Sequence, residues 1–149
     1  MGKPNNPAVA ETAAILYQFL LTKVMNVLVE ETIANNMSPI PELTVTRTQI
    51  GCKCDLVIVV GGDGSMLNAG RLLANYDVPV LGINRGYLGF LTDISPAEMV
   101  QKVADVIEGN YIEEQRTLLF ARVNRESQPA GESEALNDIV LYPGKISKM

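Results

Sequence analysis

Apolar residues recur along the chain at two spacings, and the switch between them marks out its elements. In residues 8–22, AVAETAAILYQFLLT, the side chains of Val9, Ile15, Leu16, Phe19 and Leu20 follow a helical period. Pro7 suits the first position of that helix and Asn6 its cap. VMNVLVEE, 24–31, predicts a strand, whereas 32–48, with Asn35, Asn36, Pro39 and Pro41, holds no strong period and predicts a short helix and loop. DLVIVV, 55–60, is continuously β-branched and aliphatic, as a strand covered on both faces should be. SMLNAGRLLANY, 65–76, returns to helical spacing through Met66, Leu67, Ala69, Leu72 and Leu73. VPVLGIN, 78–84, is a second buried strand, which Pro79 confines to a start or an edge.

A strand, a helix and another strand make a βαβ unit of a parallel sheet. A further helix follows in SPAEMVQKVADVIEGN, with Ser95 as cap, Pro96 at the first position, Glu98 closing a capping box and Gly109 as the left-handed stop. RTLLFARV, 116–123, and LNDIVLYP, 136–143, then read as strands joined by a polar loop. The expected fold is α/β: an open, mostly parallel, Rossmann-like sheet with helices on both faces, forming one nucleotide-binding domain over 1–149. Such folds open on a strand, yet GKPNNP has the character of the loop after one, and PGKISKM ends without a capping element. The reading is therefore of a domain truncated at both ends.

Composition narrows the chemistry. The 149 residues are 47% hydrophobic and 19% charged, with a net charge of −5, so the chain is globular material with no basic face for nucleic acid. No apolar run approaches the about 20 residues of a membrane span, and the N-terminus lacks the pattern of a signal peptide, which together predict a cytoplasmic protein without membrane contact. Cys52 and Cys54 are too few for a disulfide framework or a four-ligand zinc site and read as reduced thiols. Histidine is absent. Acid–base chemistry must then fall to a carboxylate, Lys, Tyr or Cys.

VIVVGGDGSMLNAG, 57–70, puts Gly61, Gly62 and Gly64 around Asp63 where a buried strand ends. Ligands of open parallel sheets bind at that end of the strands, glycine permits close backbone approach, and the amides of a following helix favour anions. A carboxylate beside phosphate makes chemical sense if it takes a proton from an attacking hydroxyl or holds magnesium on the phosphates. It could equally be an Asp that caps a helix in a glycine-bearing turn. The Lys-Ser/Thr of a P-loop is missing, as is the third glycine of a dinucleotide fingerprint.

Three segments in order, VVGGDGSML (59–67), GINRGYLGFLTD (82–93) and ALNDIVLYPGK (135–145), resemble the NAD kinases, which phosphorylate NAD to NADP with ATP. Gly-Gly-Asp-Gly alone also occurs in 6-phosphofructokinase and in diacylglycerol and sphingosine kinases, so a lipid or sugar kinase stays as the alternative, and a non-catalytic nucleotide-binding fragment as a third. The resemblance implies that Asp63 is the general base for the 2′-hydroxyl of the adenosine ribose, and that Gly61, Gly62 and Gly64 line nucleotide phosphates. It implies that Leu67 and Phe90 flank the adenine of NAD, that Asn137 and Asp138 hydrogen-bond the dinucleotide, and that Lys148 approaches NAD. Without the resemblance, Phe90 reads as a core aromatic, and Arg85 either clamps phosphate or is solvated. The resemblance further implies a divalent metal, Mg2+, and a homo-oligomer in the full-length protein. The family's β-rich C-terminal domain is not in this chain, so the 149 residues alone are expected to be inactive.

Overall fold

The computed structural model describes residues 1–23, 26–86 and 89–140. It divides into two compact units, Met1–Glu114 and a second that begins at Gln115. In the first unit α1 (Pro7–Thr22) starts where the sequence places it: the Asn6 side chain accepts from the amides of Ala8 at 3.0 Å and Val9 at 3.4 Å. The strand expected over 24–31 is reduced, within the described residues, to β1 (Val29–Glu30), which passes directly into α2 (Glu31–Ala34). At this junction the Glu30 carboxylate is buried and accepts from the Thr32 hydroxyl at 3.1 Å. β2 (Thr44–Val45) runs parallel to β1, and a 3-10 turn over Arg47–Gln49 leads into α3 (Ile50–Lys53).

β3 (Val57–Gly61) and β4 (Val80–Asn84) are parallel and aligned from Val57 opposite Val80 to Gly61 opposite Asn84. Alternation along β3 sends its side chains to two cores. Val57 and Val59 pack with Val45, Ile50, Ala69 and Leu73, so α4 (Asp63–Leu73) covers one face. Ile58 and Val60 pack with Val9, Leu16, Ile83, Met99 and Val103, so α1 and α5 (Met99–Ile107) cover the other. That is the doubly covered sheet the apolar run predicted. Met1 and Gly2 lie alongside β3, the Met1 ammonium donating to the Ile58 carbonyl at 2.9 Å and the Val60 amide donating to the Met1 carbonyl at 2.8 Å. On the other side of β4, Ile94 pairs in parallel with Ile83.

Two helix starts differ from expectation. α4 begins two residues before the predicted Ser65, because the Gly62 carbonyl already accepts from the amides of Ser65 at 2.9 Å and Met66 at 3.2 Å. Asp63 and Gly64 therefore belong to the first helical turn, where a negative side chain is favoured by the helix dipole. α5 begins later than its predicted cap: 95–98 close a turn through the Glu98 amide and the Ser95 carbonyl at 3.1 Å. The Ser95 hydroxyl is spent on the Glu98 side chain, whose acidity it increases. The stop is as expected, with Gly109 at φ +84° and the Asn110 amide donating to the Asp105 carbonyl at 2.8 Å.

In the second unit β5 (Leu119–Arg125) and β6 (Gln128–Ala135) form an antiparallel hairpin. Glu126 at φ 51° and Ser127 at φ 64° make the turn, both in the left-handed conformation that matches hairpin twist. Of the strand expected over 136–143, residues 136–140 are not in a strand and 141–143 lie outside the described residues; the partner of β5 is instead the polar QPAGESEA. Asn137 and Asp138 follow it outside any strand. Among the described residues no helix is long and apolar enough to cross a membrane.

The fully buried Ile83 sits in β4 against the α1 and α5 side. Ile83→Ala is expected to lower unfolding free energy by about 2–5 kcal/mol in urea titrations; a loss well below that range would contradict this placement of the core.

Candidate functional site

The in-register ends of β3 and β4 put Gly61 beside Asn84, and the Arg85 amide donates to the Gly61 carbonyl at 3.0 Å. Asn84 then organises the loop after β4. Its side-chain oxygen accepts from the Gly86 amide at 2.8 Å, its side-chain nitrogen donates to the Thr92 carbonyl at 3.1 Å, and its own amide donates to the Ile94 carbonyl at 2.8 Å. These bonds return the chain to the sheet so that residues 89–92 face the start of α4.

There the loop meets Asp63. Oδ2 accepts from the Phe90 amide at 2.8 Å, and Oδ1 accepts from the Leu91 amide at 3.1 Å and the buried Thr92 hydroxyl at 3.4 Å. Gly89 is needed for this contact, because a Cβ there would land on the Asp63 carboxylate. The Phe90 amide, then the Leu91 amide, hold the Asp63 carboxyl below its ordinary value against a smaller opposing effect of desolvation. Asp63 is thus a fixed anion. A carboxylate offers about four acceptor positions, so Oδ2 keeps a lone pair for a hydroxyl after these bonds are made.

The other expected residues divide by location. Gly61 is closed off by the Ser65 side chain, while a Cβ at Gly62 or Gly64 would meet no protein atom within 4 Å. Neither of those two has a positive φ. Both border an open cavity of about 390 Å³, along with Gly2, Lys3, Arg47 and Ser65. Glycine inside a helix costs up to about 1 kcal/mol relative to alanine, and nothing in the protein around Gly64 requires it. Leu67 is half-buried on α4 and belongs to neither apolar cluster. Phe90 is 98% exposed, which overturns its reading as a core aromatic and leaves an apolar ring directed into solvent next to Asp63.

Arg85 neither faces phosphate space nor floats in water. Its Nε donates to the Ala8 carbonyl at 3.0 Å and its terminal nitrogen reaches Glu11 at 3.3 Å, tying the end of β4 to α1. Asn137 and Asp138 are exposed residues of the second unit, and Lys148 lies outside the described residues. Among the described residues no three His, Cys, Asp or Glu side chains gather to hold a metal. From GINRGYLGFLTD the sequence pattern singles out Phe90 and, as a candidate phosphate clamp, Arg85. Asn84, Gly89 and Thr92 do the positioning; their signal is a polar residue ending a buried strand, followed by a glycine and a hydroxyl at the point of return.

Because its folded pKa is depressed, Asp63 stabilises the loop contact above the unfolded value of about 3.9, and that contribution is lost as pH falls through the lower folded value. In an NMR carboxyl titration Asp63 is expected to titrate below that reference, and Gly89→Ala is expected to return it upward by pushing the carboxylate off the amides. An unshifted midpoint in the unsubstituted chain would contradict the clamp.

A family model described as the ATP-NAD kinase N-terminal domain matches residues 1–111. An NAD kinase of Ectopseudomonas mendocina is 51% identical over all 149 residues, which cover 50% of that protein, and one of Yersinia pestis is 46% identical over the same length, covering 51%. The chain spans about half the length of the curated relatives it matches. Among solved structures, yeast NADH kinase complexed with NADH aligns with a TM-score of 0.71 at 25% identity, covering 92% of this chain and 45% of that one. With Gly-Gly-Asp-Gly at the strand end and a family match over most of its length, the chain belongs to the ATP-NAD kinase N-terminal domain family.

Proposed function

We propose that this chain is the nucleotide-binding half of an NAD kinase, which transfers the γ-phosphate of ATP to the 2′-hydroxyl of the adenosine ribose of NAD and yields NADP and ADP. The observation that carries the reading is a fixed carboxylate beside two glycines that the fold itself does not require. Family membership supports it over the lipid and sugar kinases that share the Gly-Gly-Asp-Gly turn.

Asp63 accepts the hydroxyl of the ribose on the lone pair left on Oδ2 and so aims the oxygen at phosphorus. As the new P–O bond forms and the bond to the ADP oxygen breaks, the hydroxyl proton passes to the carboxylate and the departing oxygen carries the electron pair. The depressed pKa of Asp63 sets the timing. A weak base takes its proton late, once bonding to phosphorus has acidified the hydroxyl, which suits a loose phosphoryl transition state.

Gly62 and Gly64 let the phosphate chain reach the backbone at the start of α4. Phe90 and Leu67 flank the adenine of NAD, a role that gives the exposed ring an apolar partner. Asn137 and Asp138 offer an amide and a carboxylate to the dinucleotide. A magnesium ion bound with the phosphates would neutralise part of their charge, and no cluster of three carboxylate, His or Cys side chains among the described residues gathers to hold it. The reaction belongs in the cytoplasm, in a homo-oligomer of full-length subunits.

In a protein of the relatives' full length carrying this chain, Asp63→Asn is expected to reduce NAD phosphorylation by roughly 10²- to 10⁴-fold while NAD affinity stays within a few-fold. Steady-state kinetics beside NAD calorimetry would check it, and unchanged turnover would refute the assigned role.

A further inference from the structure

The cavity beside Gly62 and Gly64 has a second wall that the Gly-Gly-Asp-Gly turn does not explain. β3 separates two spaces at its C-terminal end. On the β4 side lies Asp63 under the 89–92 loop. On the side of Met1 and Gly2 lies the cavity, lined by Lys3 and Arg47 together with Gly62 and Gly64. Both cations therefore border the space where the proposed reaction places the donor's phosphates.

Arg47 is held there from behind. Glu30 is 2% exposed; its Oε1 stands 3.7 Å from Arg47 Nε and its Oε2 accepts from the Gly2 amide at 3.4 Å. Glu30 thus ties the guanidinium and the first residues of the chain to one buried anion. Only the Nε edge is engaged, and among the described residues nothing accepts from the two terminal nitrogens of Arg47. The Arg47 side chain stays 42% exposed and lines the cavity. Lys3 is exposed, and no described carboxylate pairs with it. In a chain of net charge −5, two cations brought to one cavity against unblocked glycine backbone form a local reversal of sign.

We propose that Arg47 and Lys3 grip the linear triphosphate of the phosphoryl donor, the guanidinium by forked hydrogen bonds and the ammonium as a point charge. The inference rests on the proposed kinase reading and adds to it the residues that hold the donor. The recognised chemistry is a chain of linked phosphates, which a nucleoside triphosphate and an inorganic polyphosphate share. With the donor on one side of β3 and Asp63 on the other, the backbone of 62–64 is the surface both substrates border.

Calorimetry of a protein of the relatives' full length carrying this chain, with inorganic tripolyphosphate and, separately, with ATP, tests this without NAD or turnover. Arg47→Ala is expected to weaken both probes by roughly 10- to 100-fold, and Lys3→Ala by about 2- to 5-fold. Lys102→Ala removes the same charge from the exposed face of α5 and is expected to change neither. Lys3 is exposed at its side chain, so its variant keeps the test open should Arg47→Ala fail to fold once Glu30 has lost its cation. Tripolyphosphate binding unchanged in both cavity variants would overturn the proposal, as would a chain that binds neither probe. Weakening of ATP alone by Arg47→Ala would overturn it too, since the arginine would then be reading sugar or base. An Asp63→Asn enzyme that still turned over would instead remove the catalytic reading and leave these affinities standing.

Discussion

A single carboxylate fastens together two segments that stand 27 and 28 residues apart in the chain. Asp63 leads the helix after β3, and the amides it accepts belong to the loop after β4. The Phe90 ring is exposed and adds little packing there, and the helix start is glycine-rich, so the bonds to Asp63 add to those that Asn84 and the Gly62 carbonyl already make. The clamp depends on a register that aligns Gly61 with Asn84 and on a glycine at position 89 that lets the carboxylate close on the backbone. Sheet geometry thus becomes site geometry through hydrogen bonds to one anion.

The same anion explains why the turn can serve a phosphate chemistry without repelling it. Its charge is spread over two amides and a hydroxyl on the β4 side, while the cavity on the other side of β3 carries Lys3 and Arg47. Opposite signs are kept on opposite sides of one strand. For the proposed transfer that arrangement lets an anionic donor and a hydroxyl acceptor approach the same backbone with the base on the acceptor's side. The buried Glu30 fits this division, because it spends its charge on holding Arg47 and Gly2 rather than facing the cavity.

Much of the sheet was legible because buried strands and capped helices leave local marks. DLVIVV and VPVLGIN became the central parallel pair, Asn6 and Pro7 began α1, and Gly109 ended α5. What the sequence hid depends on distant partners. Glu30 looked like the tail of a strand, whereas it is a buried carboxylate directly before α2 that holds Gly2 and Arg47 from elsewhere in the chain. The polar QPAGESEA carries no strand pattern and is a strand only because β5 pairs with it. Apart from the family resemblance, which placed it against adenine, Phe90 read equally as a core aromatic, and the loop bonded to Asp63 instead holds it in solvent. At the site, Asp63 and its glycines were visible as a motif, whereas Asn84, Gly89, Arg47 and Lys3 act through contacts made only after the sheet has formed.

The central claim is that Gly62 and Gly64 are kept for a ligand and not for the fold. Gly64 isolates it, since a methyl group there touches no protein atom and sits in a helix that alanine favours. The direct measurement is the ATP affinity of Gly64→Ala, taken on a protein whose thermal stability is equal to or above that of the parent. A loss of roughly tenfold or more is the result this account predicts; an affinity unchanged from the parent would contradict it.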